Sequence, residues 1–515
     1  MSSDIGNQVR TDKDTHPVTL SPLHLVILLL AYLIIGALYA TQTPRWQVPD
    51  EPAHYNYIRQ LVTQQVFPIL ESGDYNQAYL SELTSSGFPP EKSIDSLEYE
   101  DHQPPLYYLL AAPVFILFNG ALLPLRLFSL LLGAGVIIFA WLVVREIFPE
   151  HKILALTTAG FVAFVPQHIA MMAGVNNDSL AELLMGLGLW LTLKALKSTS
   201  LVLGPWPLGL EPWALSLTLG AAFLTKTTIY PLAVIIGAML LIKAKRETWN
   251  ARQLLVAGLK IFLPAFLLGA LWWGRDLAVY GGMDILGLER HNAVVVGQPR
   301  TSEWLAAYGA AEVARRFFLT TFHSFWGQFG WMGVVMDQRV YLALVLYLVG
   351  LVVGVFIALF RQARRRLLAD GYNRPSPLRG LSYSTKLDSP LPSGDGVRVS
   401  VGDFEKAPSE TQPQPLTDFQ RDGLILLAVS ALLTLGLYLY YNLSFVQHQG
   451  RYLFPALIPI GLAAAVSLNA WGKLIEQIAR FKIGWIIPLG ALLAMAALDV
   501  FALYRFILPA LPYYG

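Results

Sequence analysis

The sequence predicts an all-α, polytopic transmembrane protein. Only 14% of its 515 residues are charged, whereas soluble proteins average about 25%. Hydrophobic residues make up 55% of the chain, and the mean hydropathy is +0.49. Several uncharged runs have about the twenty residues that an α-helix needs to cross a bilayer. The chain contains no cysteine, which excludes a disulfide framework, a thiolate nucleophile and a Cys-ligated metal.

Apolar runs divide the chain into candidate membrane spans. Counting them predicts about 11 spans, at 23–42, 122–144, 153–171, 178–196, 212–226, 228–243, 256–275, 338–360, 421–441, 453–471 and 483–506. The fifth and sixth runs are short and are separated by Lys226 and Thr227, so a single re-entrant hairpin is the alternative there. The only charges that we assign to the interior of these runs are Glu182 and Lys260.

Basic residues predict the orientation of the spans, because cytoplasmic loops are enriched in Lys and Arg. Basic clusters follow alternate spans, and they contain Arg145, Lys152, Lys194, Lys197, Lys243, Lys245, Arg246, Arg361, Arg364, Arg365, Arg366, Lys473, Arg480 and Lys482. This pattern predicts a multi-pass protein of the cell membrane with a cytoplasmic tail, 1–22, and an extracytoplasmic C-terminus. An uncleaved first helix is favoured over a cleaved signal peptide, which has a shorter apolar run.

Two large loops, 43–121 and 277–337, then lie outside. The first is acidic, since ten Asp and Glu residues face three basic ones between 41 and 105. After Pro52, apolar residues at a helical period predict a helix that lies on the membrane surface. The apolar stretch 106–118 predicts a second juxtamembrane helix, with a membrane span as the alternative.

The second loop and the region after it have different compositions. From Ser324 to Trp331, aromatic residues spaced by glycine predict a loop folded at the interface. Residues 361–420 are rich in Pro, Ser, Gly and charge, which predicts a cytoplasmic linker without a packed core. This linker separates a main transmembrane region, 23–360, from a C-terminal transmembrane region, 421–515.

The segment that follows the first span carries the most informative polar residues. Asp50, Glu51 and His54 lie just outside the predicted hydrocarbon. Ionisable groups held at a membrane boundary are costly to desolvate, so they indicate function. The alternative is structural: Asp50 would be the N-cap of a helix whose first turn contains Pro52.

Two further sets of polar residues lie on the same predicted side. Asp101 and His102 precede the next membrane element, where the alternative is a polar loop before a helix broken by proline. Asp178 ends the run Asn-Asn-Asp at the turn between the third and fourth spans. It either caps the fourth span or faces the same cavity as the other acidic residues.

Three cations lie on the outer side, against the prevailing charge pattern. They are Lys226, Arg275 and Arg451, the last of which is followed by Tyr452. Fixed cations at this depth suit a phosphate or diphosphate headgroup, for which Arg is a bidentate partner. The alternatives are contact with membrane lipid headgroups and, for Arg275, a local pair with Asp276.

Several of these motifs, taken in order, resemble the GT-C superfamily of integral-membrane glycosyltransferases. They are the Asp-Glu pair that opens the first outer loop and the Pro-Pro-Leu-Tyr-Tyr segment 104–108, which lie between the first span and many spans joined by short loops. The segment 49–54, the aromatic segment 324–331 and the Gln-Gly-Arg-Tyr-Leu-Phe-Pro segment 449–455 also resemble a bacterial subgroup known as DUF2142. The protein O-mannosyltransferase and aminoarabinose-transferase branches are the most similar. The resemblance covers about residues 20–510, apart from the linker.

This resemblance implies transfer of a sugar from a polyprenyl-phosphate-linked donor on the extracytoplasmic face. It implies that Asp50 is the base that activates the acceptor and that Glu51, its neighbour in the acidic pair, is the second catalytic residue. His102 resembles the His of a His-Pro-Pro motif, although Gln103 interrupts it. Some branches use a divalent metal as cofactor, but the absence of a clean Asp-X-Asp motif here favours metal independence.

The chemistry of such a transfer fits these residue types. A carboxylate would take the proton from an acceptor hydroxyl that attacks the anomeric carbon, and the outer cations would stabilise the leaving phosphate. A single displacement would invert the anomeric carbon. The acceptor could be a glycan, a lipid or a protein, and nothing indicates nucleic acid. The alternatives are a transporter or flippase of lipid-linked glycans and a structural or sensory membrane protein.

Overall fold

The computed structural model describes residues 22–198, 210–372 and 416–512. The described helices are α1 (Pro22–Gln42), α2 (Glu51–Thr63), α3 (Gln77–Ser86), α4 (Leu106–Leu117), α5 (Leu122–Ile147), α6 (Lys152–Ala163), α7 (Pro166–Met172), α8 (Asp178–Lys197), α9 (Leu210–Phe223), α10 (Pro231–Arg246), α11 (Ala251–Tyr280), α12 (Leu288–Val294), α13 (Thr301–Trp326), α14 (Gln338–Tyr372), α15 (Asp418–Ser444), α16 (Leu457–Ala479), α17 (Ile486–Ala502) and α18 (Leu508–Ala510). Two short strands, β1 (Gln328–Phe329) and β2 (Val334–Val335), form an antiparallel hairpin. The predicted all-α, polytopic class is confirmed.

The number of spans is smaller than predicted. Within the described ranges, nine helices are long and apolar enough to cross a membrane, or ten if the bent pair α6–α7 counts as one span. The predicted span 153–171 is this pair, whose halves meet at 66°. Val165 is extended because the following Pro166 disfavours helical geometry before it. The predicted span 212–226 is a short helix that ends at Phe223.

The first outer loop contains the two predicted helices, but α2 does not lie with one face on lipid and the other in water. Its polar residues His54, Asn56 and Gln60 are buried in protein. The side-chain amide of Asn56 donates to the carbonyl groups of Ile94 and Leu97, so α2 packs on its own loop. Helix α4 has 12 residues, fewer than the roughly 20 that a span needs.

The second outer loop is more helical than predicted. It contains α12 and α13, and α13 is kinked at Gly309, whose φ of 76° is not helical. The segment expected to be an interfacial loop begins inside α13 and ends in the β1–β2 turn. Helix α13 is stabilised by local charge pairs, in which Arg315 and Arg316 contact Glu312. A search for long apolar runs does not detect a helix that contains charged residues such as these.

The two outer loops contact each other at one end of the helix bundle. The Tyr280 hydroxyl accepts from the Leu70 amide at 3.1 Å, and Arg290 donates to the Leu70 carbonyl at 2.8 Å. The Val446 amide donates to the Pro299 carbonyl, which joins the C-terminal half to the same end. Residues 1–21 of the predicted tail and 373–415 of the predicted linker lie outside the described residues.

Candidate functional site

A buried ion pair joins Glu51, the residue after Asp50, to Arg126. Glu51 and Arg126 are 0% and 3% exposed, and their closest atoms are 2.6 Å apart. Both Glu51 oxygens are occupied, because they also accept from the backbone amides of Trp46 and Val175. Arg126 in turn donates to three backbone carbonyls at the end of the first span, those of Ala40, Thr43 and Pro44. This geometry favours a structural role for Glu51.

Asp50 has a different environment from its neighbour. Asp50 occupies the N-cap position of α2, as the structural interpretation predicted, but its φ of 66° is in the left-handed region and its side chain makes no capping hydrogen bond. Tyr99 donates to one carboxylate oxygen at 3.1 Å, and Arg451 donates to the other at 2.8 Å. Burial raises the pKa of Asp50, but Arg451 and other neighbours lower it by a larger amount. The pKa of Asp50 therefore lies below its ordinary value. Asp50 is therefore an ionised, partly exposed carboxylate.

A 3₁₀ turn, Gly450–Ala456, places Arg451 beside Asp50. A side chain at Gly450 would collide with the Thr321 carbonyl and the Phe325 amide, so glycine is required for this close approach. The Gly450 amide donates to the Ser324 hydroxyl at 2.7 Å. Arg451 also lies 5.5 Å from the ring of Tyr452. The outer turn before α16 is thus held against α13, with its cation facing the first loop.

Lys226 and Asp178 form a second ion pair with an N–O distance of 2.6 Å. Asp178 is the first residue of α8, and Lys226 immediately precedes the 3₁₀ turn Thr227–Ile229. The capping contact that the sequence suggested is made by Asn176, whose side chain accepts from the Ser179 amide. Asp178 is therefore available to pair with Lys226.

His54 is a buried residue of α2 that is influenced by the charges of both ion pairs. Its Nδ1 is hydrogen-bonded to the Tyr108 hydroxyl at 2.9 Å. Burial lowers the pKa of His54 to about 3, and the charge of Lys226 is the second cause. Asp50, Asp178 and Arg451 also act on this pKa, so both ion pairs are within electrostatic reach of one neutral imidazole. We call Asp50, His54, Asp178, Lys226 and Arg451 the charged cluster.

A second carboxyl group, that of Glu100, lies near the charged cluster. Burial and the negative charge of Asp50 raise the pKa of Glu100 to about 8, against the lowering effect of Lys226. Asp50 and Glu100 are two carboxyl groups in one site whose pKa values are shifted in opposite directions. Such a divergence is typical of sites where carboxyl groups have different roles. The sequence analysis assigned no role to Glu100.

Asp101 and His102 contact other parts of the loop. Gln60 donates to Asp101 at 2.8 Å, and burial raises the pKa of Asp101. The His102 ring lies 4.6 Å from the ring of His291 on α12, and burial lowers the pKa of His102. His102 thus joins the two outer loops beside the charged cluster.

Arg275 forms the local pair that was the alternative for it. It contacts Asp276 at 2.9 Å, donates to the Pro68 carbonyl and lies 4.5 Å from the Trp272 ring. These contacts attach the first loop to α11, so the structure does not join Arg275 to the charged cluster. Among the described residues, no group of three or more His, Asp or Glu side chains could hold a metal ion.

The sequence analysis missed several ionisable residues inside the spans. Arg126 was overlooked in the second apolar run, as was Asp499 in the last one. Asp499 is 0% exposed, and both of its carboxylate oxygens lack a hydrogen-bond partner within the described residues. Glu182, which was noted, pairs with His168 at 3.0 Å. Each charge interrupts an apolar run, which is the signal that could have identified it.

Comparisons with known proteins show what this chain is similar to. The sequence model of a family described as dolichyl-phosphate-mannose-protein mannosyltransferase matches residues 102–273. The matched third of the chain contains His102, Asp178 and Lys226 but begins after Asp50 and ends before Arg451. It confirms the resemblance to GT-C membrane glycosyltransferases. No curated protein matches the chain closely enough to define a relative.

Solved structures with a similar arrangement of helices include two membrane transferases. The oligosaccharyltransferase of Archaeoglobus fulgidus, solved with Zn and sulfate, is 14% identical, with a TM-score of 0.43 and coverage of 95% of this chain and 53% of that chain. ArnT from Cupriavidus metallidurans, solved with undecaprenyl phosphate, is 13% identical, with a TM-score of 0.44 and coverage of 96% and 74%. This chain therefore spans about half the length of the archaeal protein.

Proposed function

We propose that this protein transfers a sugar from a polyprenyl-phosphate-linked donor to an acceptor hydroxyl on the extracytoplasmic face of the membrane. The donor class comes from the GT-C resemblance. The observation that carries the proposal is the charged cluster, in which two carboxylate–cation pairs are within electrostatic reach of one neutral imidazole. Such a cluster combines a candidate base with candidate phosphate ligands.

Lys226 and Arg451 would bind the donor phosphate. Each cation is already paired with a carboxylate, so a phosphate would compete with Asp178 and Asp50 for them. Charge-assisted hydrogen bonds of Arg and Lys to phosphate are among the stronger polar contacts in proteins. As the bond between the anomeric carbon and the phosphate oxygen breaks, both cations would stabilise the negative charge that develops on the leaving group.

Asp50 would act as the base. Arg451 lowers the pKa of Asp50, so a phosphate that engages Arg451 would weaken this effect and make Asp50 a stronger base. Asp50 would take the proton of the acceptor hydroxyl while the acceptor oxygen bonds to the anomeric carbon. The phosphate would leave from the opposite face, so the anomeric configuration would invert. The acceptor class, whether glycan, lipid or protein, is not part of the proposal.

Transfer by the full-length protein in lipid nanodiscs tests this proposal. A panel of radiolabelled polyprenyl-phosphate sugars would be offered with a mixture of membrane lipids, glycans and peptides, and labelled product would be counted. Transfer should depend on Asp50 and Arg451 and should be insensitive to Asp95→Asn, a change in the same loop at an exposed carboxylate. If no donor in the panel gives labelled product, the proposal is wrong.

A transporter or flippase of lipid-linked glycans is the second candidate. Buried ionisable side chains inside spans favour it, namely the His168–Glu182 pair and Asp499. Intramembrane ionisable residues mark transport pathways in many membrane proteins. Movement of a fluorescent lipid-linked glycan between the leaflets of proteoliposomes, without sugar transfer, would support this candidate against the first.

A further inference from the structure

A chain of hydrogen-bonding side chains lies behind His54, on the side of Nδ1. The Tyr108 hydroxyl is 2.9 Å from Nδ1, and the Asn177 amide nitrogen is 3.4 Å from the same hydroxyl. The Asn177 amide nitrogen is also 3.3 Å from the Gln103 side-chain oxygen. The Gln103 side-chain nitrogen lies 3.4 Å from Nε2 of His102. The chain therefore runs from Gln103 to His54 through Asn177 and Tyr108.

The direction of each hydrogen bond follows from the Asn177 amide group. The Asn177 side-chain nitrogen donates to the Gln103 side-chain oxygen. Because an amide nitrogen can only donate, the Tyr108 oxygen accepts from Asn177. The single Tyr108 proton is then directed to the imidazole, and Nδ1 of His54 is the acceptor. A neutral imidazole that accepts at Nδ1 carries its proton on Nε2.

Aromatic packing fixes the Tyr108 hydroxyl in this position. The Tyr108 ring stacks on Tyr57 with a centroid distance of 3.6 Å and an interplanar angle of 10°. Tyr57 and Tyr108 are both 0% exposed. The ring of His54 also stacks against Tyr108 at 5.9 Å. Rotation of Tyr108 away from Nδ1 would therefore require repacking of a buried aromatic cluster.

We propose that His54 donates a hydrogen bond from Nε2–H to a phosphate oxygen of the donor, and that Tyr108 and Asn177 are positioning residues that fix this tautomer. This inference rests on the proposed function, since it names the group that the charged cluster binds. A neutral donor suits a site that already contains Lys226 and Arg451, because it adds a hydrogen bond to an anion without adding a positive charge. With Nδ1 occupied and Nε2 protonated, His54 cannot be the base, so that role stays with Asp50.

Two substitutions of His54 distinguish the roles of its two ring nitrogens. The amide nitrogen of Gln reaches about as far as Nε2, whereas that of Asn reaches only the position of Nδ1. Binding of undecaprenyl phosphate to the full-length protein in nanodiscs would be measured by ligand-induced thermal stabilisation. His54→Asn should weaken binding by about 10- to 100-fold, the range for a lost hydrogen bond to a charged group. His54→Gln should stay within about threefold of the wild type.

Nitrogen-15 NMR of the histidine-labelled protein reads the tautomer directly and does not depend on a ligand. The His54 signals, assigned by their loss in His54→Gln, should show a proton on Nε2. In Tyr108→Phe, which retains the aromatic ring, the signals should shift towards a mixture of tautomers. The donor KM of this variant should rise while kcat changes less, because the variant affects donor binding. A merely structural role for Tyr108 would leave the tautomer unchanged.

The outcomes distinguish this inference from the function on which it rests. If the wild type binds undecaprenyl phosphate but His54→Asn and His54→Gln bind it equally, or if the wild type carries its proton on Nδ1, the inference is wrong and the function stands. If the wild type neither binds undecaprenyl phosphate nor transfers sugar from any donor, both are wrong.

Discussion

Asp50 and Glu51 are adjacent in sequence, and each pairs with an arginine, yet they lie in two different regions of the molecule. The Glu51–Arg126 pair is buried, and every oxygen of its carboxylate is occupied. The Asp50–Arg451 pair is 25% and 10% exposed and lies next to a second ion pair. A fully satisfied pair holds structure, whereas a partly exposed pair beside other charges can exchange its partners. The surroundings of a carboxylate therefore indicate its role better than its place in a motif.

The largest effect is expected from Asp50→Asn. The amide is nearly isosteric, and Asn tolerates the left-handed conformation that Asp50 adopts. A general base typically contributes about 10²- to 10⁴-fold to a rate, so sugar transfer should fall by that amount. Thermal stability should fall less than in a variant of Glu51, because the Asp50–Arg451 pair is more exposed than the Glu51–Arg126 pair.

The control for Asp50→Asn is Asp95→Asn, which removes an exposed carboxylate from the same loop. Its transfer rate should equal that of the wild type. Wild-type activity in Asp50→Asn would remove Asp50 from the reaction and make Glu100 the next candidate for the base.

Glu51→Gln should have its largest effect on stability. The change leaves Arg126 buried without its counter-ion, and breaking a buried pair costs about 3–5 kcal/mol. The apparent Tm in detergent and the yield of folded protein should both fall, while transfer per folded molecule should be largely retained. A variant that folds normally but has lost transfer would instead give Glu51 the catalytic role that the resemblance suggested.

Lys226→Met tests whether the second pair belongs to the site. Loss of one charged contact to a phosphate should raise the donor KM by about 10- to 100-fold. The double variant Lys226→Met with Asp178→Asn avoids an unpaired carboxylate and should have the same high KM with better stability. Lys92→Met, at an exposed pair in the first loop, is the matched control. A donor KM unchanged by Lys226→Met would confine the phosphate site to Arg451.

The sequence predicted which residues lie at the same end of the spans. Asp50 and Arg451 are 401 residues apart in sequence, and they contact each other as expected of residues at span ends on one side of the membrane. The different role of Glu51 could not be predicted, because it depends on Arg126 and on two backbone amides that only the fold brings together. Helix α13 was missed because local charge pairs stabilise it, and the bend at Val165 does not interrupt the apolar pattern.

The smallest expected effect distinguishes the two carboxyl groups of the site by pH. In the folded protein the pKa of Glu100 is raised to about 8, above its ordinary value of 4.5. Between these values the folded state binds a proton that the unfolded state has lost, so this group makes the protein less stable as pH rises. Asp50 acts in the opposite direction, because its lowered pKa gives a stabilisation that is lost on acidification below its ordinary value of 3.8.

Glu100→Gln should therefore be more stable than the wild type at about pH 9, by a few degrees in apparent Tm, and equal to it at about pH 4.5. Thermal unfolding in detergent across this range, with Glu91→Gln as an exposed control in the same loop, measures the difference. Parallel curves for Glu100→Gln and the wild type would mean that Glu100 is ionised in the folded protein, and the two carboxyl groups would then not be distinguished by their protonation.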